Sequence, residues 1–198
     1  YRGSRLRFRM IKFEKVRWKN FLSTGNQFTE IELNRNETTL IIGENGAGKS
    51  TVLDALCFSL FGKPFRTISK SQLVNTVNAM ETVVEIEFSI ASRRYKIVRG
   101  IKPNKFEIWQ NDKMLNQEAN NRDYQKILEQ QILKLNYRSF TQVVILGSST
   151  FVPFMQLKAR FRREVVEDLL DIKIFSTMNM ILKQRLKDLV VELQEVDY

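Results

Sequence analysis

Three observations predict an α/β fold. A short β-branched, apolar run at residues 38–42 leads straight into a glycine-rich segment and then a helical pattern. Alternating apolar residues between 82 and 109 read as an antiparallel meander. From residue 172 onward an apolar heptad spacing continues with no Gly and no Pro. The 198 residues suit one compact domain, or one domain with an appendage.

The elements follow in order. Residues 10–18 read as a strand. Ile11 and Phe13 share one face, whereas Val16 and Trp18 share the other, so the phase slips near Glu14 and Lys15 and predicts a bulge. Residues 20–26 are turn-like, with Gly25-Asn26, and Phe28, Ile31 and Leu33 predict a second strand. Residues 38–42 predict a buried strand, followed by a helix over 49–61. Val52, Leu53, Leu56, Leu60 and Phe61 form its apolar stripe, and Gly62 and Pro64 end it. In the meander, Val84, Ile86 and Phe88 alternate with charges. Tyr95, Ile97 and Arg99 follow a turn at Ser92-Arg93, and Phe106 and Ile108 follow one at Pro103-Asn104. Tyr124, Ile127, Leu128 and Ile132 predict a helix over 121–135, and residues 143–146 predict another short strand. A helix over 159–171 begins among Lys158, Arg160, Arg162 and Arg163. The last apolar positions, 175, 178, 182, 186, 189, 193 and 196, are spaced 3, 4, 4, 3, 4, 3, a heptad seam with one stutter. With no terminal cap, this reads as the start of a longer coiled-coil helix.

Composition removes several chemistries. With no His there is no Ser-His-Asp triad, no Cys-His dyad and no His-ligated metal. A lone cysteine, Cys57, closes no intrachain disulfide and reads as a core residue on the helix over 49–61. No apolar run reaches the ~18 residues of a membrane-spanning helix, so no membrane role and a cytoplasmic location are expected. The formal charge of +10 invites a nucleic-acid partner. Residues 1–9 carry four Arg and read as a basic leader, either a non-native remnant or a native extension. Without them, 28 basic residues stand against 22 acidic ones, a balance of +6.

The chemistry-bearing motif is Gly43-Glu44-Asn45-Gly46-Ala47-Gly48-Lys49-Ser50-Thr51, which fits G-x-x-x-x-G-K-[ST]. Gly43, Gly46 and Gly48 permit backbone geometry that aims successive N–H groups at phosphate. The helix that follows adds its N-terminal donors and partial positive charge. Lys49 supplies a point charge for the β- and γ-phosphates, and the Ser50 hydroxyl a ligand for Mg²⁺. The expected cofactors are therefore ATP and Mg²⁺. No acid follows a run of four apolar residues: Val165-Val166-Glu167-Asp168 is too short and lies in a helical pattern. No Ser-Gly-Gly signature occurs either, so no catalytic residue is expected in this half of the site. Asp54 reads as a helix-surface or packing residue.

KNF at 19–21, TTLIIGENGAGKSTVLDALCFSLFG at 38–62, FTQVVILGSSTFVPFM at 140–155 and RREVVEDLLDI at 162–172 occur in that order. Over residues 10–198 the chain resembles the N-terminal half of a Rad-fifty/SbcC-type head, an SMC-like ATPase of double-strand-break repair. It most resembles the large subunit of the recombination endonuclease of T-even-like tailed phages, where blocks like KPF at 63–65 and QLVN at 72–75 also occur. The resemblance implies a P-loop NTPase of the ABC/SMC head type. Residues 10–171 would form its N-terminal lobe, and residues 172–198 the start of a coiled coil. It implies four partners: a C-terminal lobe of the same polypeptide, a second head joined in an ATP-dependent homodimer, an Mre-eleven/SbcD-type nuclease subunit, and double-stranded DNA. The family often has Arg after KNF; here Leu22 stands there, with Ser23 or Thr24 as substitutes. The Q-loop Gln position falls on Ser148, with Gln142 six residues earlier, on the expected strand or just before it, as the alternative metal contact. Phe65, Arg66 and Thr67 are further nucleotide contacts by this likeness. Arg162 and Arg163 take a coupling role, and Lys63, Lys70, Arg93 and Arg94 are the candidates for DNA phosphates. The alternatives are a RecF-type DNA-repair head and the nucleotide-binding domain of an ABC transporter. The heptad seam and the meander directly after the P-loop helix argue against the transporter.

Overall fold

The computed structural model describes residues 10–115, 121–146, 152–170 and 172–196. The leader at 1–9 and Ser148 lie outside these residues. The chain forms two compact units, one ending at Leu133 and one beginning at Lys134.

The first unit is built on a six-stranded antiparallel sheet in the order β2-β1-β3-β4-β5-β6. Its strands are β1 (Ile11–Lys19), β2 (Thr29–Glu32), β3 (Thr82–Ile90), β4 (Arg93–Ile101), β5 (Lys105–Gln110) and β6 (Lys113–Met114). The predicted bulge is present: the β1–β3 register shifts between Phe13 and Lys15, which lets Val16 and Trp18 face the core opposite Ile86 and Val84. One face carries Val84, Ile86, Phe88, Tyr95, Ile97, Phe106 and Ile108, all buried. The other carries charge. There Glu85 lies between Arg17 at 2.7 Å and Lys96 at 2.9 Å. Burial alone would raise the Glu85 carboxyl, but the hydrogen bonds and charges of Lys96 and Arg17 hold it below its ordinary value.

Helix α1 (Thr51–Phe61) packs on the apolar face and ends at Gly62, whose φ of 68° closes a left-handed cap. Cys57 is buried as expected, but the helix buries more than its predicted stripe, since Thr51, Asp54 and Ser59 are buried too. The helix is enclosed on more than its sheet side. Phe58 meets Phe21 at 5.8 Å, and Arg99 on β4 donates to the Ser59 and Leu60 carbonyls at its C-terminus. Arg99 also donates to Gln125 and lies 3.7 Å from the Phe106 ring centroid. Burial pulls its pKa down to about 9 while Glu129 opposes, leaving it a cation at neutral pH over the helix's negative end. Helix α2 (Asn121–Lys126) continues as π-helical turns over Ile127–Leu133, with Tyr124, Leu128 and Ile132 buried as predicted.

Two predicted strands are absent. Residues 38–42 form no strand, and Leu40 and Ile42 are 80% and 83% exposed. No described strand pairs with them, and an unpaired β-prone segment has nothing to hold it extended. Residues 143–146 form no strand either. Val143 ends helix α3 (Tyr137–Val143), which starts at Asn136, whose side chain accepts from the Ser139 N–H. A short apolar run does not distinguish helix end from strand, and here the N-cap decides. In this second unit, α3 is fastened to α4 (Ala159–Leu169) by Arg138–Glu164 at 2.7 Å and by a Ser139–Asp168 hydrogen bond. Helix α5 (Lys173–Val196) is continuous, and its heptad residues Phe175, Met178, Leu182, Leu186, Leu189 and Leu193 are exposed.

Candidate nucleotide-binding site

The glycine-rich loop sits between the open segment at 38–42 and the N-terminus of α1. Gly46 and Gly48 adopt φ of 90° and 89°, a region that side chains with a Cβ rarely enter. The Thr51 N–H donates to the Gly48 carbonyl at 2.9 Å, turning the loop into the helix. Lys49 closes the loop on itself, donating to the Gly43 and Glu44 carbonyls at 2.6 and 2.7 Å. Ser50 occupies the N-cap without using its side chain to cap. That hydroxyl fits the chemistry of a Mg²⁺ ligand beside phosphate. Among the described residues no cluster of three acidic or Cys side chains offers a metal site, so an ion here would rely on Ser50, phosphate and water.

A cavity of about 510 Å³ lies over this loop. Asn45, Gly46, Gly48, Lys49, Ser50 and Thr51 form one part of its wall, and Leu22, Ser23, Arg66, Gln72, Val74 and Thr76 the rest. A loop of turned backbone amides, a lysine and a helix N-terminus opening on one cavity suit a polyphosphate. A family model described as AAA domain matches residues 15–197.

The chain belongs to that family. The Exonuclease subunit 2 of Enterobacteria phage T4 is 43% identical over 172 residues, covering 87% of this chain and 30% of the relative. The DNA double-strand break repair Rad50 ATPase of Thermoplasma volcanium is 25% identical over 191 residues, covering 93% of this chain and 21% of that protein. This AAA-domain chain thus spans under a third of the length of either relative. Its fold is that of the N-terminal lobe of an SMC-type head. The Smc head domain with a coiled coil and joint from Pyrococcus yayanosii matches at a TM-score of 0.64 and 23% identity, over 95% of this chain and 38% of that one.

The contacts expected outside the P-loop divide. Ser23 and Arg66 line the cavity. Thr24 uses its hydroxyl within its own turn, donating to the Phe21 carbonyl at 2.6 Å. Phe65 and Thr67 are not among the lining residues; Phe65 presents its backbone N–H to Asp54. Asp54 itself is no surface residue. It is fully buried and accepts from the Phe65 and Arg66 N–H groups and from the Arg66 guanidinium at 2.6 Å. It thereby clamps the loop after α1 to the first turn of α1. Burial, with the Asp54 charge nearby, pushes the Cys57 thiol well above its ordinary value, so Cys57 is an inert core residue. Gln142 lies on α3 in the second unit rather than on a strand, with its side-chain oxygen buried and without a hydrogen-bond partner among the described residues. Lys63, Arg93 and Arg94 are exposed; Lys70 donates to Asn104 at 3.3 Å. Burial, and then Arg99, lower the Lys70 pKa.

Sequence reading missed Asp54's clamp and the role of Asn75, whose side chain donates to the Leu22 and Thr24 carbonyls at 3.0 and 3.1 Å; no signal in adjacent residues marks either.

Proposed function

We propose that this chain is the ATP-binding half of an SMC-like ATPase head that acts with an SbcD-type nuclease in double-strand-break repair and DNA recombination. The observation that carries this reading is the P-loop cavity, together with the exposed apolar segment at 38–42 that precedes the loop in the chain. The loop's glycines and Lys49 stand in place before α1, and the segment ahead of them, expected as a strand, is unpaired among the described residues. A C-terminal lobe of the same polypeptide supplies neighbours for that segment and the acid and signature donors this sequence lacks. Its relatives' greater length supports this.

In that reading the loop N–H groups and the N-terminus of α1 bind the phosphates, Lys49 leaves its loop carbonyls for them, and Ser50 holds the metal. When bound, Mg²⁺ supplies charge neutralisation at the phosphate oxygens. Ser23 and Arg66 contact the nucleotide from the second wall. Two heads join over ATP, and α5 continues into the coiled coil whose base receives the nuclease. Exposed Lys63, Arg93 and Arg94, with Lys70, meet DNA phosphates.

Phosphoryl transfer rests on positioning and charge stabilisation, so half a site is slow by orders of magnitude. Mixing tests this: the chain, the C-terminal lobe as a separate polypeptide, and ATP with Mg²⁺. Turnover is expected only in the mixture, with ATP-dependent doubling of the two-chain mass. Robust hydrolysis by this chain alone contradicts the proposal.

A further inference from the structure

The cavity's second wall rests on one side chain. The turn at residues 20–24 is strained for its composition: Asn20 and Leu22 adopt φ of 50° and 55°, and neither is glycine. Such a turn persists only where its surroundings over-determine it. The neighbouring segment does this. The Leu22 N–H donates to the Leu73 carbonyl at 2.7 Å, and Phe21 and Val74 form an isolated bridge. Asn75 then closes the arrangement from beneath. It is 7% exposed, and its backbone N–H donates to the Asn20 carbonyl at 3.0 Å. Its Nδ2 donates to the Leu22 carbonyl at 3.0 Å and the Thr24 carbonyl at 3.1 Å. Its Oδ1 accepts from the Val77 and Asn78 N–H groups at 2.9 and 3.0 Å. Two carbonyls on one side and two N–H groups on the other leave the amide one orientation.

The residues on either side of these contacts are cavity wall: Leu22 and Ser23 from the turn, Val74 and Thr76 from the segment. We propose that Asn75 is a positioning residue for nucleotide binding: by bridging the two loops it sets the wall against which the nucleoside part of the ligand lies, while the P-loop holds the phosphates. This rests on the ATP-binding reading above. Asn75 lines no part of the cavity itself and acts through Leu22 and Ser23.

The test compares ATP with inorganic tripolyphosphate, each with Mg²⁺, by calorimetry on the full chain. Asn75→Asp keeps the size and the acceptor for Val77 and Asn78 but turns an oxygen toward the Leu22 and Thr24 carbonyls. Its affinity for ATP is expected to fall about tenfold, which corresponds to 1.4 kcal/mol, with tripolyphosphate unchanged. Lys49→Ala is expected to lose both ligands. Equal loss of ATP and tripolyphosphate in Asn75→Asp overturns the proposal, because the role is then purely structural. Parental ATP affinity in Asn75→Asp, beside a Lys49→Ala that binds neither, overturns it while the ATP reading stands. Lys49→Ala binding ATP normally overturns the ATP reading itself. If Asn75→Asp melts below the assay temperature, Asn75→Ser, which retains one donor, and Ser23→Ala, which leaves the network whole, carry the same comparison. Both are expected to weaken ATP selectively, and unchanged ATP affinity in both overturns the proposal.

Discussion

The core-facing positions of strands β3 and β4 and the segment at 38–42 are alike in apolar character and opposite in fate. Val84, Ile86, Phe88 and Ile97 are completely buried, whereas Leu40, Ile41 and Ile42 are exposed. Both regions supply β-branched and apolar side chains, which in β3 and β4 alternate with charged residues such as Glu85, Glu87 and Lys96. The difference is supply of partners. A two-residue turn joins β3 to β4, and β1 lies along the other side of β3, so both edges of β3 are paired within the first unit. The segment at 38–42 meets no described strand. Propensity makes a sequence ready to be a strand, and only a neighbouring edge makes it one. The functional loop hangs on the open region, while its helix is anchored in the closed one.

That contrast can be broken by mutation. The largest expected effect is in the closed region: Phe88→Ala should cost about 3–5 kcal/mol. Ile42→Ser in the open segment should stay within about 0.5 kcal/mol in this chain. Thermal and denaturant melts of both variants check the pair; comparable losses would mean that 38–42 is already packed. Next comes Lys49→Ala, which should lower ATP affinity by about a hundredfold or more, roughly 3 kcal/mol. Its melt should be unchanged, because among the described residues the Lys49 ammonium donates to carbonyls of its own loop. Calorimetry and a melt on one sample read both. The smallest effect is acid sensitivity of the closed sheet. The Glu85 carboxyl is held below its ordinary value of 4.5. Its stabilisation is therefore present above that value and is lost as pH falls through the lowered one. Glu85→Gln should flatten the fall in melting temperature at acid pH, and an identical fall would remove Glu85 from the account.

What was legible in the sequence follows the range of each signal. The β1 bulge showed as a phase slip between Phe13 and Val16, the α1 stop as Gly62, and the phosphate loop as a spacing, because each is written in adjacent residues. Strands β3 to β5 were legible because alternation and turns occur together. Asn75 was not, because its meaning lies in carbonyls some fifty positions away, at Leu22 and Thr24. Asp54 hid likewise, its partners Phe65 and Arg66 sitting across a proline break. The run at 143–146 misled because β-branched residues also end a helix once Asn136 has started one.

The measurement that reaches the central claim most directly is amide hydrogen exchange at residues 38–43. With this chain alone, those amides should exchange near the unprotected rate, while those of β3 and β4 exchange slowly. Adding the C-terminal lobe of the same polypeptide should protect 38–43 and leave β3 and β4 as they were. Protection of 38–43 before any addition, or none after it, would contradict the account that this segment is a strand completed only by the other half of the head.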